Sequence, residues 1–411
     1  MTSGVDFRAL KTEEEMKQVA RCLALAFASA NVEEELKGLK KEGIEFDRIL
    51  AEGDKVLGCL RRHEIGQYYC GKLVSMVGLS NVGVTPESRR RGFGRELIAR
   101  DLQESKDKGF ALSTLYGASQ QFYRTNGYER AGVHCLTKIP LWQLHTDSWP
   151  VSVREEAASW TLRSAEATDW PQLEAMQQEF ARLQQGALVR NETLWKLRRG
   201  DFRTQPDETV LFESEDRELQ GYLVYRLKRP QHPELYQTLE LRDFVAPTPA
   251  ALCRLFQFCQ GFRSLARFVC WTGALANNIL AVLDEVDVVT TSVFEHWMLR
   301  VVDVEKALTE RGYPVGLTTS FGLSLTDHLF EDNNGHFLVH IHEQTASVQR
   351  VSEPKGAEFV SADIRDFASL YSGFQQAHDL WMAGRLVGDK SAREKVNAVF
   401  CNGLPMIQED F

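Results

Sequence analysis

The sequence feature that most constrains the fold is the stretch VTPESRRRGFGREL, Val84 to Leu97, together with its two neighbours. The preceding run, VSMVGLSNVGV, has the apolar character of a buried strand. The following run, GRELIARDLQESKDKG, carries Leu97, Ile98 and Leu102 at the spacing of one helical face. A strand, a short basic loop with two glycines and a helix thus follow one another. This order predicts that an anion binds where the loop becomes the helix.

The residue types in this loop suit a phosphate ligand. Glycines let backbone N–H groups approach a ligand, and the helix N-terminus adds partial positive charge. Arginines nearby neutralise phosphate charge. The residues of the predicted cradle are Arg89, Arg90, Arg91, Gly92, Phe93, Gly94 and Arg95. The alternative is an exposed loop whose arginines are only hydrated, but the preceding strand and the break at Pro86 favour the anion site.

Composition narrows the class of protein. The 411 residues suggest about three domains at about 150 residues each. The formal charge of −9 does not favour nucleic acid or anionic membranes as partners. The eight cysteines include no CxxC pair, which predicts reduced thiols and a cytoplasmic protein. We find no signal peptide and no apolar run near the ~20 residues of a membrane helix. The alternating His336, His340 and His342 lack further ligand residues at metal-binding spacing, so we expect no metal.

A second region repeats the order of the first. TVLFESEDRELQGYLVYRLK predicts a strand pair, and TLELRDFVAPTPAALCRLFQFCQGF predicts a strand followed by a helix. Aligning Val245-x-Pro247 with Val84-x-Pro86 leaves none of the anion-binding residues in the second copy. The residues that take their places are Ala250, Ala251, Cys253 and Leu255. We interpret the repeat as a duplication whose second copy is structural.

The pattern of elements predicts three domains, 1–148, 149–288 and 289–411. GYERAGVHCLTKIPL is predicted as the last strand of the first domain, and the polar stretch 145–157, HTDSWPVSVREEA, as a linker. The end of the sequence, NGLPMIQEDF, is apolar as well as acidic. Because disordered tails rarely have that composition, we predict that it docks on the protein.

The motif V-x-V-x-P-x-x-R-R-R-G-x-G resembles the acetyl-CoA pyrophosphate loop of the GNAT N-acetyltransferases. The resemblance implies acetyl-CoA as co-substrate, with Val82, Gly83 and Val84 bonding its pantetheine arm like an added strand. ASQQFYRTNGYERAG is similar to the next strand and short helix of that family. It implies that Tyr123 lies near the CoA sulfur and protonates the leaving thiolate. Tyr128 is the rival, although we favour a core position for it. Ser119 matches a family position near the acetyl group.

The three-part layout resembles the Eis family (enhanced intracellular survival acetyltransferases) over essentially the whole chain. It implies an α/β (α+β) protein with two tandem GNAT domains, each a largely antiparallel mixed sheet flanked by helices. A C-terminal α+β domain resembling sterol carrier protein 2 follows. The final Phe411 matches the aromatic residue that ends family members, whose terminal carboxylate is the base for the amine. Glu409 and Asp410 would add negative potential for a cationic substrate. The resemblance also implies a homo-oligomer, a hexamer.

These features predict an N-acetyltransferase that moves acetyl directly from acetyl-CoA to a primary amine of a cationic small molecule. Polyamine-like and aminoglycoside-like amines are the candidates. Family members that acetylate aminoglycosides carry an acid and a tryptophan after the first helix. The corresponding stretch here, AFASANVEEELKG, has Ser29 or Ala30 at the place of the acid and no tryptophan, so we expect a different substrate pocket. Two alternatives remain open: acetylation of peptide or protein lysines, and a non-catalytic CoA- or lipid-binding protein.

Overall fold

The computed structural model describes residues 4–28, 31–198, 207–229, 236–273, 277–354 and 358–409. The chain forms two compact units. The first unit takes in the chain up to Gly132 and again from His296 to Pro405. The second unit takes in Val133–Glu295 and the short segment Met406–Glu409. Each unit therefore combines segments that are far apart in the sequence.

The first unit begins with two helices and a meander of long strands. Its α1 is preceded by Thr12, whose hydroxyl accepts from the Glu15 N–H while the Glu15 carboxylate accepts from the Thr12 N–H. This is the capping box that the sequence predicts. The elements up to residue 132 are β1 (Asp6–Ala9), α1 (Glu13–Ala26), α2 (Val32–Glu42), β2 (Asp47–Glu52), β3 (Lys55–Tyr69), β4 (Lys72–Val84), α3 (Phe93–Asp107), β5 (Leu112–Tyr116), α4 (Gln120–Arg124) and β6 (Glu129–Arg130).

Seven of the described strands form the sheet of this part, in the order β1-β2-β3-β4-β5-β14-β6, where β14 is Trp297–Val301. The pairs are antiparallel except β4 with β5, which run parallel. Leu97, Ile98 and Leu102 of α3 are fully buried against the sheet, as their spacing predicts. The sheet is therefore mixed and mostly antiparallel.

The rest of the first unit is a smaller sheet with helices. Five described strands lie in the order β17-β16-β15-β18-β19. The elements are α10 (Val304–Glu310), β15 (Thr319–Thr326), β16 (Gly335–His342), β17 (Thr345–Val351), β18 (Phe359–Asp363), α11 (Ile364–Ser372), α12 (Ala377–Met382), β19 (Leu386–Val387) and α13 (Lys390–Phe400). Its core includes the fully buried rings of Phe321, Phe367 and Tyr371.

The second unit has a sheet of the same kind, with described strands in the order β13-β7-β12-β11-β10-β9-β8. Only β11 and β12 are parallel among these pairs. The elements are β7 (His134–Pro140), α5 (Val151–Ser159), β8 (Thr161–Ser164), α6 (Trp170–Arg182), α7 (Glu192–Arg198), β9 (Glu208–Glu213), β10 (Leu219–Lys228), β11 (Gln237–Val245), α8 (Pro249–Gln260), β12 (Ala266–Gly273), α9 (Asn277–Leu280) and β13 (Thr290–Glu295).

Two predicted segments differ in the structure. GYERAGVHCLTKIPL is two strands, since β6 pairs with β14 whereas β7 pairs with β12 and β13 of the other sheet. The predicted linker 145–157 is partly helical, because α5 begins after Pro150 and buries Ala157 against the core around α8. The mixed α/β class is confirmed. The boundaries at 148 and 288 stay predictions.

Candidate active site

The first unit's sheet opens where β4 and β5 separate. Their parallel pairing ends at Leu79 and Leu115, but β4 continues alongside β3 as far as Val84. A bulge lies in this free part of β4, because Asn81 and Val82 oppose one residue of β3 and Asn81 has φ of 54°. The edge of β4 beyond Leu79 is thus turned away from β5, and its backbone can pair with an extended ligand.

The predicted cradle follows directly from this edge. A short 3₁₀ turn, Pro86–Ser88, leads to Gly92, which is the N-cap of α3 with φ of 87°. Arg90 is also left-handed, with φ of 61°. Because Gly92 has no side chain to cap the helix, the first-turn N–H groups of α3 are open to an external acceptor. The helix has 15 residues, so its N-terminus carries the partial positive charge of a full macrodipole.

The arginines surround this N-terminus. Arg89, Arg90, Arg91 and Arg95 are all exposed. The Arg89 Nε donates to the Val84 carbonyl at 3.2 Å, which ties the loop to the free end of β4. The Arg91 guanidinium lies 4.8 Å from the ring centre of Phe93, and that ring is buried beneath the loop. Positive side chains and open backbone N–H groups therefore meet at one place.

Glycine at two site positions makes room for neighbouring side chains. A Cβ on Gly94 would lie 3.1 Å from the Phe122 ring and 3.4 Å from Val84. A Cβ on Gly83 would lie 3.0 Å from the sulfur of Cys22 on α1. Gly94 thus lets α4 approach the first turn of α3, and Gly83 lets α1 lie against β4.

The same packing places Tyr123 beside the opening. Its ring lies 3.0 Å from the Cβ position of Gly117, which directly follows β5, and packs edge-on against Phe122. The side chain is buried, and burial raises the pKa of Tyr123 to about 12. The phenol is therefore protonated at neutral pH, which is the state that a general acid requires.

Tyr128 occupies the core behind it. The residue is fully buried, its hydroxyl lies 2.7 Å from the Ser113 hydroxyl, and burial raises its pKa well above the usual range. This environment agrees with the core position favoured from the sequence. Ser119, in contrast, is exposed and occupies the N-cap position of α4 without a side-chain capping bond.

The predicted tail residues have different positions. Asp410 and Phe411 lie outside the described residues. Glu409 is buried in the second unit, where its carboxylate accepts from the Arg190 Nε at 2.7 Å. Its charge is therefore paired within the protein.

The second unit shows the same strand design without the cradle. Pairing of β11 with β12 ends at Leu241 and Trp271, β11 continues to Val245, and its bulge falls at Arg242, which aligns with Asn81. Here α8 begins two residues after Pro247, and its N-cap Thr248 accepts from the Ala251 N–H at 3.1 Å. The Thr248 hydroxyl thus caps the N-terminus of α8, whereas Gly92 leaves that of α3 without a side-chain cap.

Sequence reasoning missed two parts of the site. The bulge at Asn81 changes the direction of the free edge of β4. Its only sequence signal is an asparagine within a strand, because asparagine tolerates positive φ. Phe122 holds α4 against α3 and Val84. Its signal is the glycine at position 94, whose contact partner only the fold shows.

The three histidines of β16 make cross-strand contacts instead of converging. His336 and His340 lie 2.7 Å from the hydroxyls of Ser324 and Ser320, respectively. Across the described ranges, we find no cluster of three His, Cys, Asp or Glu that could hold a metal ion. Nor does any helix in those ranges combine the length and apolar character that crossing a bilayer requires.

Comparison with family models matches three regions of the chain. Residues 6–131 and 186–301 each match an acetyltransferase (GNAT) domain. Residues 304–408 match a sterol carrier protein domain. The two GNAT regions contain the splayed pairs β4–β5 and β11–β12, respectively.

Curated relatives and solved structures resemble the chain over most of its length. It is 26% identical to N-acetyltransferase Eis of Mycobacterium tuberculosis, covering 86% of this chain and 85% of that one. It is 25% identical to an uncharacterized N-acetyltransferase of Streptomyces griseus, covering 81% of each. The crystal structure of a GCN5-related N-acetyltransferase from Anabaena variabilis superposes with a TM-score of 0.88, 27% identity, and coverage of 99% and 100%. Eis1 from Mycobacterium abscessus has the same fold, with a TM-score of 0.80 at 19% identity and the same coverage.

The splayed strands, the basic loop and these matches define the class of protein as a GNAT N-acetyltransferase, an enzyme that uses acetyl-CoA. Within that class, the chain is an Eis-like N-acetyltransferase with a C-terminal region like sterol carrier protein 2.

Proposed function

We propose that this enzyme transfers acetyl directly from acetyl-CoA to a primary amine of a cationic small molecule. The observation that carries the proposal is the meeting of three elements in the first unit: the open edge of β4, the N-terminus of α3 and the Tyr123 side chain. If the pantetheine arm of acetyl-CoA pairs with β4 and its pyrophosphate binds at α3, the thioester would lie beside Tyr123.

The binding roles follow from the chemistry of each element. The pyrophosphate charge is neutralised by four arginines, Arg89, Arg90, Arg91 and Arg95. Its oxygens accept hydrogen bonds from the first-turn N–H groups of α3, from Gly92 to Gly94. The backbone of Val82, Gly83 and Val84 pairs with the pantetheine amides. Ser119, at the start of α4, orients the acetyl group.

The transfer requires proton movements at both reacting atoms. The substrate ammonium first loses one proton, because only the neutral amine has a lone pair with which to attack, and we assign this proton to the terminal carboxylate of Phe411, directly or through water. The amine nitrogen then bonds to the thioester carbonyl carbon and the C–S bond breaks, so the nitrogen loses a second proton to water and the sulfur leaves as a thiolate. The Tyr123 hydroxyl, which burial keeps protonated, protonates that thiolate and regains its proton from water. No acyl-enzyme forms.

A cationic substrate fits the charge of the chain. The formal charge of −9 imposes no general repulsion on an ammonium group. Because the Glu409 carboxylate is paired with Arg190, we assign the attraction of the substrate ammonium mainly to Asp410 and to the terminal carboxylate. We also propose a homo-oligomer, a hexamer by family resemblance, which light scattering of the purified protein measures directly.

The experiment that tests this function is CoA release from acetyl-CoA across a panel of polyamines, aminoglycosides and lysine peptides. We expect turnover with a small polycationic amine and intersecting initial-velocity lines, because both substrates must be bound before transfer. Parallel lines would indicate an acyl-enzyme and contradict direct transfer. A preference for peptides would replace the small amine by protein lysines, and no turnover with any amine would refute the proposal.

A further inference from the structure

The tail of the chain, residues 405–409, has alternate buried residues and is hydrogen-bonded to the second unit. Pro405, Ile407 and Glu409 are buried, while Met406 and Gln408 between them are half-buried. The Met406 N–H donates to the Gln185 carbonyl at 2.6 Å. Alternate residues of the segment thus face the protein, and Ile407 is fully buried.

A buried arginine holds the end of this segment. The Arg190 side chain is completely buried and grips Asp243 of β11 with both terminal nitrogens, at 2.6 and 2.9 Å. Its remaining nitrogen, Nε, donates to Glu409 at 2.7 Å. The Tyr222 hydroxyl also donates to Asp243, at 2.9 Å. The three guanidinium nitrogens of Arg190 therefore bind both Asp243 of the sheet and Glu409 of the tail.

The contact of Arg190 with Glu409, which we call the latch, lies at the end of the sheet where β11 and β12 separate. Asp243 follows the last paired residue of β11, Leu241, by two positions, and Gly273 follows Trp271 of β12 by two. A Cβ on Gly273 would lie 3.6 Å from the Gln408 Cα, so the tail backbone passes over this glycine. In the first unit, the corresponding opening is the proposed acetyl-CoA site. In the second unit, the chain's own tail lies against Gly273 at the end of β12 and is joined to Asp243 of β11 through Arg190.

We propose that Arg190 is a positioning residue for catalysis: by holding Glu409, it fixes the tail whose terminal carboxylate accepts the amine proton. This inference rests on the proposed function of Phe411. Two residues separate Glu409 from that carboxylate, a span of at most about 7 Å of extended chain. A latch so close to the end leaves the carboxylate little freedom, and a restricted base needs little ordering during the reaction.

The charges of the latch allow it to be opened without dismantling the unit. Arg190 is bound by two carboxylates, so the Glu409→Gln variant leaves the bidentate pair with Asp243 intact. Glutamine has the shape of glutamate but lacks its charge, and its amide oxygen can still accept from the Arg190 Nε. Replacing a charge-assisted hydrogen bond by a neutral one increases the open fraction of the tail by about five- to tenfold.

The test measures tail opening and catalysis separately. Carboxypeptidase binds the residues ahead of the bond that it cleaves, so its release of Phe411 reports opening of the contact between Arg190 and Glu409, and intact mass spectrometry follows the release. We expect Glu409→Gln to speed this release about five- to tenfold. We also expect kcat to fall, because the weaker contact leaves the terminal carboxylate less ordered, while the KM for acetyl-CoA is unchanged. Glu409→Asp, which restores the charge, should recover part of both.

Glu343→Gln is the matched control, because it makes the same chemical change at a highly exposed carboxylate. Arg190→Lys, which cannot serve both carboxylates, should reproduce the Glu409→Gln result if the second unit remains folded. Release as slow as in the control would overturn the latch. Faster release with unchanged kcat would overturn its catalytic role. The chain lacking Phe411 is assayed first: if it retains full turnover, the proposed base is wrong, and that failure is distinct from failure of the latch.

Discussion

Gly92 lies where the left-handed backbone before α3 coincides with the proposed pyrophosphate site. Its φ is 87°, and a Cβ there would meet no atom within 4 Å. Gly92→Ala therefore introduces backbone strain without a steric clash. A left-handed non-glycine residue costs about 1–2 kcal/mol. If the loop relieves this strain by leaving the geometry that binds pyrophosphate, affinity for acetyl-CoA falls by about five- to thirtyfold.

Titration calorimetry with acetyl-CoA on Gly92→Ala and Gly92→Asn tests this reasoning. Asparagine tolerates the left-handed conformation, so it should recover part of the lost affinity. We expect kcat at saturating acetyl-CoA to change little, because the reacting groups lie elsewhere. Wild-type affinity in the alanine variant, together with a lowered free energy of unfolding, would show that the strained loop does not bind the co-substrate.

Two further predictions concern Tyr123 and the pH dependence of stability. Tyr123→Phe should lower kcat by about 10²–10⁴-fold, as loss of a general acid does, whereas Tyr128→Phe should lower stability but not kcat; equal losses of kcat would contradict the assignment. His63, whose ring nitrogen lies 2.8 Å from the Ser80 hydroxyl, has a pKa lowered to about 4, mainly because burial disfavours its charged form. The unfolded chain binds its proton at about pH 6.5, so the free energy of unfolding should decrease by about 3 kcal/mol as pH falls from about 6.5 to about 4. Denaturant unfolding should show this dependence flattened in His63→Gln, and an unchanged slope would refute it.

The sequence predicts the local elements best where one chemical signal dominates. The Thr12 capping box, the face of α3 and the glycine loop before it are all present in the structure. Each depends on residues within a few positions of one another. The predicted strand after Gly127 fails because its two halves pair in different sheets. Local pattern carries no information about which distant strand each half joins.

The site divides in the same way. The sequence predicts the glycine loop before α3 by its spacing and the position of Tyr123 by family resemblance, whereas the roles of these residues stay predictions. The contact of Phe122 with Gly94 joins elements that the sequence separates, and the Arg190–Glu409 pair spans 219 positions. Arg190 has no recognisable motif around it, so only the fold reveals its partners. The acidic tail predicts negative potential for a cationic substrate, but the Glu409 charge is paired with Arg190.

The measurement that tests the account most directly compares the intact protein with one lacking only Phe411. CoA release with the best amine of the panel reports turnover, and calorimetry reports acetyl-CoA binding. The account predicts that the deletion abolishes most turnover and leaves acetyl-CoA affinity unchanged, because the cradle belongs to β4 and α3. Full turnover in the deleted chain would contradict the terminal carboxylate as base.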